Sequence, residues 1–306
     1  WGRRTLNAAD MFEALRVARP RLAGLALDRP RLMGIVNVTP DSFSDGGQLT
    51  SPAAAIEHAL RLEAEGADIL DIGGESTRPG AEPVALADEL RRVIPVIEGL
   101  AGKVSARISI DTRKAEVMRA AAAVGADIIN DVSALMHDPE SLAAAAASGC
   151  PVILMHAQGD PRTMQERPHY DNVLLDVFDF LEARVAVCLE SGIPKAKLVV
   201  DPGIGFGKTL AHNLELMAGL SLLHGLGVPV LLGASRKGFI GTLTDVPAAA
   251  ERVEGSIGAA LAAAASGCQI LRVHDVLETR RALDVWYAAT IGRDPSGRDQ
   301  GAVGHT

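Results

Sequence analysis

Short apolar runs alternate with longer amphipathic stretches along this chain, and the alternation is regular. The short runs predict strands at Leu32–Val38, Ile69–Ile72, Arg107–Ile110, Ile128–Asn130, Val152–His156, Leu198–Asp201, Val230–Leu232 and Ile270–Val273. The stretches between them are rich in Ala, Leu, Glu and Arg. They predict helices over Ala53–Glu65, Ala87–Leu100, Lys114–Val124, Pro139–Ala147, Val173–Ser191, His212–His224, Glu251–Ser266 and Val276–Ala289. Glycine follows several of these helices, at Gly66, Gly125, Gly149 and Gly267, where a helix commonly stops.

A strand–helix unit repeated in this way over 306 residues predicts an α/β protein with a single (β/α)₈ barrel spanning residues 31–290. An open doubly wound sheet is the alternative, although it would show fewer strands and one dominant switch point. Residues 1–30 read as an N-terminal extension whose amphipathic segment, Ala8–Ala18, would close the barrel bottom. Residues 291–306 are polar and Gly-rich and read as a loose tail.

Hydrophobic residues make up 48% of the chain, enough for one large core. The net charge of −8, the lack of a basic stretch and an aromatic content of 3% argue against nucleic acid as a partner. An anionic ligand would have to be attracted by a few local cations or a metal, against the global field. Three cysteines, Cys150, Cys188 and Cys268, form no CxxC pair and read as reduced thiols of a cytoplasmic protein. The apolar run Leu22–Leu27 is short and split by Gly24, so neither a membrane span nor a secretory signal is expected there.

The strand ends carry the chemistry. In order they present Asn37, Asp71, Asp111, Asn130, His156, Asp201, Ser235-Arg236-Lys237, Arg272 and His274. Any one polar residue after a strand can be a helix cap, as Asp111-Thr112 and His274-Asp275 could be. Polar ends on every strand point to one bowl of functional groups at the C-terminal face. Carboxylates and amides suit the hydrogen-bonding edge of a heterocycle, and Arg, Lys and His suit a phosphate. Two Gly-rich loops, 38–47 and 73–80, are either ordinary surface loops or mobile lids carrying Phe43, Thr77 and Arg78. The segment Gly203–Thr209 resembles a phosphate loop, but its glycine spacing fails both the Walker and the dinucleotide patterns. No His/Cys set has zinc spacing, and His58, His137, His212 and His224 read as surface or helix residues.

Taken together, the blocks MGIVNVTPDSFSDGG (33–47), GADILDIGGESTRPG (66–80), ISIDT (108–112), IINDVS (128–133), LMH (154–156), DPGIGFGKT (201–209), SRKGFIG (235–241) and RVHDV (272–276) resemble dihydropteroate synthase. They fall one per strand, in that family's order, over about residues 31–290. The resemblance implies condensation of a dihydropterin pyrophosphate with para-aminobenzoate, a sulfonamide-targeted step of folate synthesis. It implies that Asn37 meets Mg²⁺ and the pyrophosphate. Asp111, Asn130, Asp201 and Lys237 would form the pterin pocket, and Arg272 and His274 would contact the pyrophosphate. Phe43, Thr77, Arg78, Pro79 and Phe206 would surround the aminobenzoate, with Asn37, Asp111, Lys237 and Arg272 as the catalytic set. A homodimer through the late helices, 251–266 and 276–289, is also implied. A corrinoid-linked pterin methyltransferase and a catalytically silent pterin-binding paralogue stand as alternatives. Two departures from the family pattern stand out: Gly238 stands where many members have Ser after SRK, and Ala134-Leu135 where others have Gly-Gly, the latter expected to alter only a local turn.

Overall fold

A computed structural model describes residues 21–39, 51–76, 80–159 and 164–292. Phe43, Thr77, Arg78, Pro79, the segment Ala8–Ala18 and nearly all of the tail lie outside the described residues.

The strands are β1 (Arg31–Asn37), β2 (Ile69–Gly73), β3 (Arg107–Asp111), β4 (Ile128–Asp131), β5 (Val152–Met155), β6 (Leu198–Asp201), β7 (Leu231–Leu232) and β8 (Ile270–Val273). The helices are α1 (Pro52–Ala64), α2 (Leu86–Leu100), α3 (Ala115–Ala123), α4 (Ser141–Ser148), α5 (Val173–Glu190), α6 (Leu210–Ala218), α7 (Gly238–Thr244), α8 (Val253–Ala265) and α9 (Val276–Ile291). All pairings between the strands are parallel, in one 8-stranded sheet ordered β6-β5-β4-β3-β2-β1-β8-β7. A bridge between Val200 and Val230 joins its two ends and closes the barrel.

Local chemistry explains the segment ends. Ser51 caps α1 by accepting from the Ala54 N–H, with Pro52 in the first turn, and Asn172 caps α5 by accepting from Leu175. The Gly-Ala-Asp turns hold the barrel bottom. Asp68 accepts the Leu32 N–H at 2.9 Å, and Asp127 accepts the Ile108 N–H at 2.9 Å, so each turn ties its own strand to the one before. Arg29, Arg31 and Arg280 all pair with Asp68.

Side chains fill two compartments. The outer one lies between strands and helices and is lined by residues such as Leu32, Ile72, Ile110, Val200 and Val273. The inner one is a layer at the bottom of the barrel, made by Met33, Ile69, Ile128, Ile153, Val199, Leu231 and Ile270 and stoppered by Leu22. Each such fully buried aliphatic side chain contributes about 1.5–3 kcal/mol.

The structure modifies three expectations. The helix expected over His212–His224 ends at Ala218 and continues as a 3₁₀ segment, Leu220–Leu226. Gly219 lies between them, and a Cβ there would fall 2.4 Å from Leu174, so α5 is packed directly on this backbone. His224, expected on the surface or a helix, is buried in that 3₁₀ segment, with Nε2 3.0 Å from the Ser266 carbonyl. The segment after the SRK block forms α7, which its Gly- and Thr-rich sequence did not announce.

Candidate active site

The register carries a polar row around the barrel mouth. Asn37 pairs with Gly73, Gly73 with Asp111, and Asp111 with Asn130, so these positions sit level on β1 to β4. Asp201 ends β6 opposite Met155. Strand side chains alternate between faces, so Asp71 shares the inward file of Ile69, and Arg272 that of Ile270. The interior thus runs from apolar at the bottom to charged at the mouth.

Glycines leave room at the centre of this row. The space where a Gly73 side chain would begin lies 3.7 Å from Asp111 Oδ2 and 3.8 Å from Asn37 Oδ1. The corresponding space at Gly233 lies 3.9 Å from Asp201 Oδ2 and 3.8 Å from Arg272 Cδ.

Arg272 organises the acidic side. Its Nε donates to Asp71 Oδ2 at 2.6 Å and its Nη2 to Asp111 Oδ2 at 2.8 Å. Asn130 Nδ2 donates to the same Asp71 oxygen at 3.1 Å. The other oxygen, Asp71 Oδ1, is buried with no hydrogen-bond partner among the described residues. Burial pushes the Asp111 carboxyl up to about 7; Arg272 opposes this and Asp71 adds to it. Burial also raises Asp201, against the pull of Lys237, and Asp201 Oδ1 accepts the Gly203 N–H at 2.7 Å. Burial opposes the Arg272 charge too, but Asp71 and Asp111 outweigh it and hold that guanidinium above its ordinary value.

Lys237 occupies the opposite wall. Burial brings its ammonium down to about 8, Asp201 opposing. It donates to the Ile204 carbonyl and stands 4.6 Å from the centre of the Phe206 ring. His274 takes its place beside Ser235, whose hydroxyl lies 3.0 Å from Nδ1 and accepts the His274 N–H at 3.2 Å. Asn37, Asp111, Asn130, Asp201, Phe206, Lys237, Arg272 and His274 are therefore gathered at one end of the barrel, as expected.

Two expected mouth residues are engaged elsewhere. Arg236, expected among the cations of the cavity, forks onto Asp275 at 3.1 and 2.6 Å, and its backbone is left-handed, with φ 59°. His156 is buried beneath the mouth, its Nδ1 2.9 Å from the Lys208 ammonium, and burial takes it down to about 3, so the ring is neutral. Neither the Asp111 nor the Asp275 carboxylate caps a helix, because both pair with arginines; Asp275 stands at the N-cap of α9 without a side-chain cap bond, and the Thr112 hydroxyl accepts the Lys114 N–H ahead of α3.

A second network escaped the sequence reading. Glu75, at the root of the 73–80 loop, accepts from Arg113 at 3.0 Å, Lys114 at 2.9 Å and the Val84 N–H at 3.1 Å. Burial opposes its charge, but these donors outweigh burial and hold the carboxyl below its ordinary range. Lys114 also reaches Glu89 at 2.5 Å, and Thr112 donates to Glu89 at 2.6 Å. A signal existed: Glu89 falls in the apolar stripe of α2 with Val93, Val96, Ile97 and Leu100, where a charge needs a buried partner.

The departures also have a structure. Ala134 and Leu135 keep the left-handed backbone that Gly-Gly would adopt, with φ 52° and 62°, and Asp131 ties the turn through the N–H groups of Ser133 and Leu135. A side chain at Gly238 would meet nothing within 4 Å.

The profile of the family described as pterin binding enzyme matches residues 33–274. The dihydropteroate synthase of Escherichia coli K12 is 51% identical over 270 residues, covering 88% of this chain and 95% of that protein. The chain belongs to the dihydropteroate synthase family.

Solved structures of that family agree. The Xanthomonas albilineans enzyme with 4-aminobenzoic acid is 54% identical, with TM-score 0.83, covering 89% of this chain and 98% of the other. The same organism's enzyme in complex with 7,8-dihydropteroate superposes with TM-score 0.80 at 51% identity, covering 89% of this chain and 98% of the other. Among the described residues no helix is long and apolar enough to cross a membrane.

Proposed function

We propose that this chain joins 6-hydroxymethyl-7,8-dihydropterin pyrophosphate to para-aminobenzoate, giving 7,8-dihydropteroate and pyrophosphate in folate biosynthesis. The observation that carries this reading is the mouth itself: buried Asp111, Asn130 and Asp201 face Arg272 and Lys237, in a chain about half identical to an enzyme solved with both an aminobenzoate and the pteroate product.

In this reading Asp201 and Asn130 take the donor edge of the pterin. Their burial removes competing water, so each hydrogen bond discriminates strongly. Lys237 closes the pterin pocket from the other wall. Arg272, His274 and Asn37 face the pyrophosphate. The C–O bond to pyrophosphate breaks with its electron pair leaving on oxygen, and the aniline nitrogen forms the new C–N bond and loses a proton. Cations preorganised where that charge grows are worth about 3–4 kcal/mol each. Phe206 and the 38–47 and 73–80 loops would receive the aminobenzoate, through Phe43, Thr77, Arg78 and Pro79.

We assign Asn37 to a Mg²⁺ carried in by the pyrophosphate. The oxygens of Asn37 and Asp111 flank one space, and among the described residues no group of three His, Cys, Asp or Glu side chains stands ready to hold a metal unaided. That suits an ion held mainly by phosphate oxygens and water. When bound, Mg²⁺ would neutralise charge on the leaving group. A homodimer through α8 and α9 completes the proposal. Three unpaired thiols support a reducing, cytoplasmic setting.

Pyrophosphate release is the test. Release that requires para-aminobenzoate, and that stops in excess chelator, is expected. Release without it, or methyl transfer from a methylated pterin, would overturn the assignment.

A further inference from the structure

Between β6 and α6 the chain crosses the site as Gly203-Ile-Gly-Phe-Gly207, the segment whose spacing excluded a phosphate loop. Its carbonyls are all held by side chains. Lys208 donates to Gly203 and to Phe206, at 3.0 Å each. Lys237 donates to Ile204, Gln165 to Gly205 at 2.5 Å, and the Tyr170 hydroxyl to Gly207 at 2.8 Å. The backbone is left-handed at Gly203, Gly205 and Gly207, with φ of +68°, +83° and +63°. It also lies hard against the β5 end: a Cβ on Gly203 would fall 1.8 Å from the His156 carbonyl, and one on Gly207 2.3 Å from that of Gln158.

Lys208 is the keystone of this arrangement. It is 3% exposed, yet its hydrogen-bond partners include no carboxylate. They are the carbonyls above, the His156 carbonyl at 3.4 Å and the neutral His156 ring at 2.9 Å. Burial lowers its pKa to about 7, the mark of a charge kept out of water at a cost. An apolar side chain would fill the same volume without that cost, but it could not hold several carbonyls at once. What the clamp delivers is the position of Phe206, whose ring lies under the Lys237 ammonium, and of Gly205, whose backbone packs on the Lys237 stem at 3.2 Å from an added Cβ.

We propose that Lys208 is a positioning residue for the aminobenzoate half of the reaction, acting through the Gly203 and Phe206 carbonyls to fix the Phe206 ring beside Lys237. This rests on the function proposed above. It differs from a general packing role in being selective for one substrate.

The experiment compares wild type, Lys208→Met and Tyr170→Phe by steady-state kinetics in each substrate and by amide exchange over 203–207. For Lys208→Met, the KM for para-aminobenzoate should rise about tenfold while the KM for the pterin pyrophosphate stays within about twofold. The Gly205 amide, which donates to Asn213 at 2.7 Å, should exchange faster. Tyr170→Phe removes one carbonyl donor and no charge, so it should show the same pattern more weakly, and it decides the matter if Lys208→Met does not fold. Equal rises in both KM values, or unchanged exchange over 203–207, would overturn the proposal. A wild type that makes no dihydropteroate would defeat the parent reading instead, and the exchange comparison would still decide whether the clamp exists.

Discussion

Arg272 on β8 reaches over β1 to Asp71 on β2, placing its Nε 2.6 Å from Oδ2 of a carboxylate that is fully buried. The same guanidinium holds Asp111, so one cation pairs with two acids, of which Asp71 is sealed from water and Asp111 nearly so. Arg272→Met should therefore cost about 3–5 kcal/mol of stability, because it strands buried charge, as well as nearly all turnover. Arg272→Lys should recover little of either, since lysine lacks the planar fork that sets Nε on Asp71 and Nη2 on Asp111 at once. Urea unfolding alongside turnover checks both; a variant as stable as wild type would mean that the acids are protonated or repaired by water.

Asp201 should govern the pterin alone. Asp201→Asn keeps the shape and loses the charged acceptor, worth about 1.5–3 kcal/mol, so the Kd of a pterin analogue should rise roughly 10- to 100-fold. Arg78→Ala should instead impair aminobenzoate use. Calorimetric titration of each ligand separates the two, and equal losses of pterin affinity would contradict the division.

The upper part of the alkaline limb should belong to Lys237, since the other buried ammonium, Lys208, is already lost from about 7 upward. The Lys237 pKa is lowered to about 8, so the ammonium is present below that pH and lost above it. The kcat/KM profile of the free enzyme should fall through about pH 8, and Lys237→Arg should move that fall upward, because arginine keeps its charge. A limb that stays in place would assign the titration to another group.

Gly238 offers a gain. A Cβ there meets nothing within 4 Å, at the first residue of α7 beside Lys237. Gly238→Ser should fit without strain and lower the KM for para-aminobenzoate by about 2- to 5-fold through one added hydrogen bond. An unchanged KM would show that the hydroxyl has no partner in the closed complex.

Strand positions were legible because the barrel imposes one rhythm. The runs at Leu198–Asp201 and Ile270–Val273 coincide with the observed strands, and the polar finishes of the strands marked the mouth. Pairing between distant side chains was not legible. Nothing local ties Arg236 to Asp275 or His156 to Lys208, so two mouth residues were misplaced. The break at Gly219 was hidden for a related reason: the contact that requires it comes from Leu174 on another helix, and helical periodicity is blind to it.

The barrel is weakest as a ring where β6 meets β7, since β7 is only Leu231–Leu232 and the Val200–Val230 bridge spans the gap. Asp201 ends one lip of that seam and Lys237 follows the other. A ligand gripping both is a staple across the joint. Occupancy of the mouth and breathing of the cylinder then become one equilibrium: whatever binds tightly also stiffens, and whatever loosens the seam raises the Kd. Heat resistance conferred by a bound pterin would come from the seam more than from the rest of the ring.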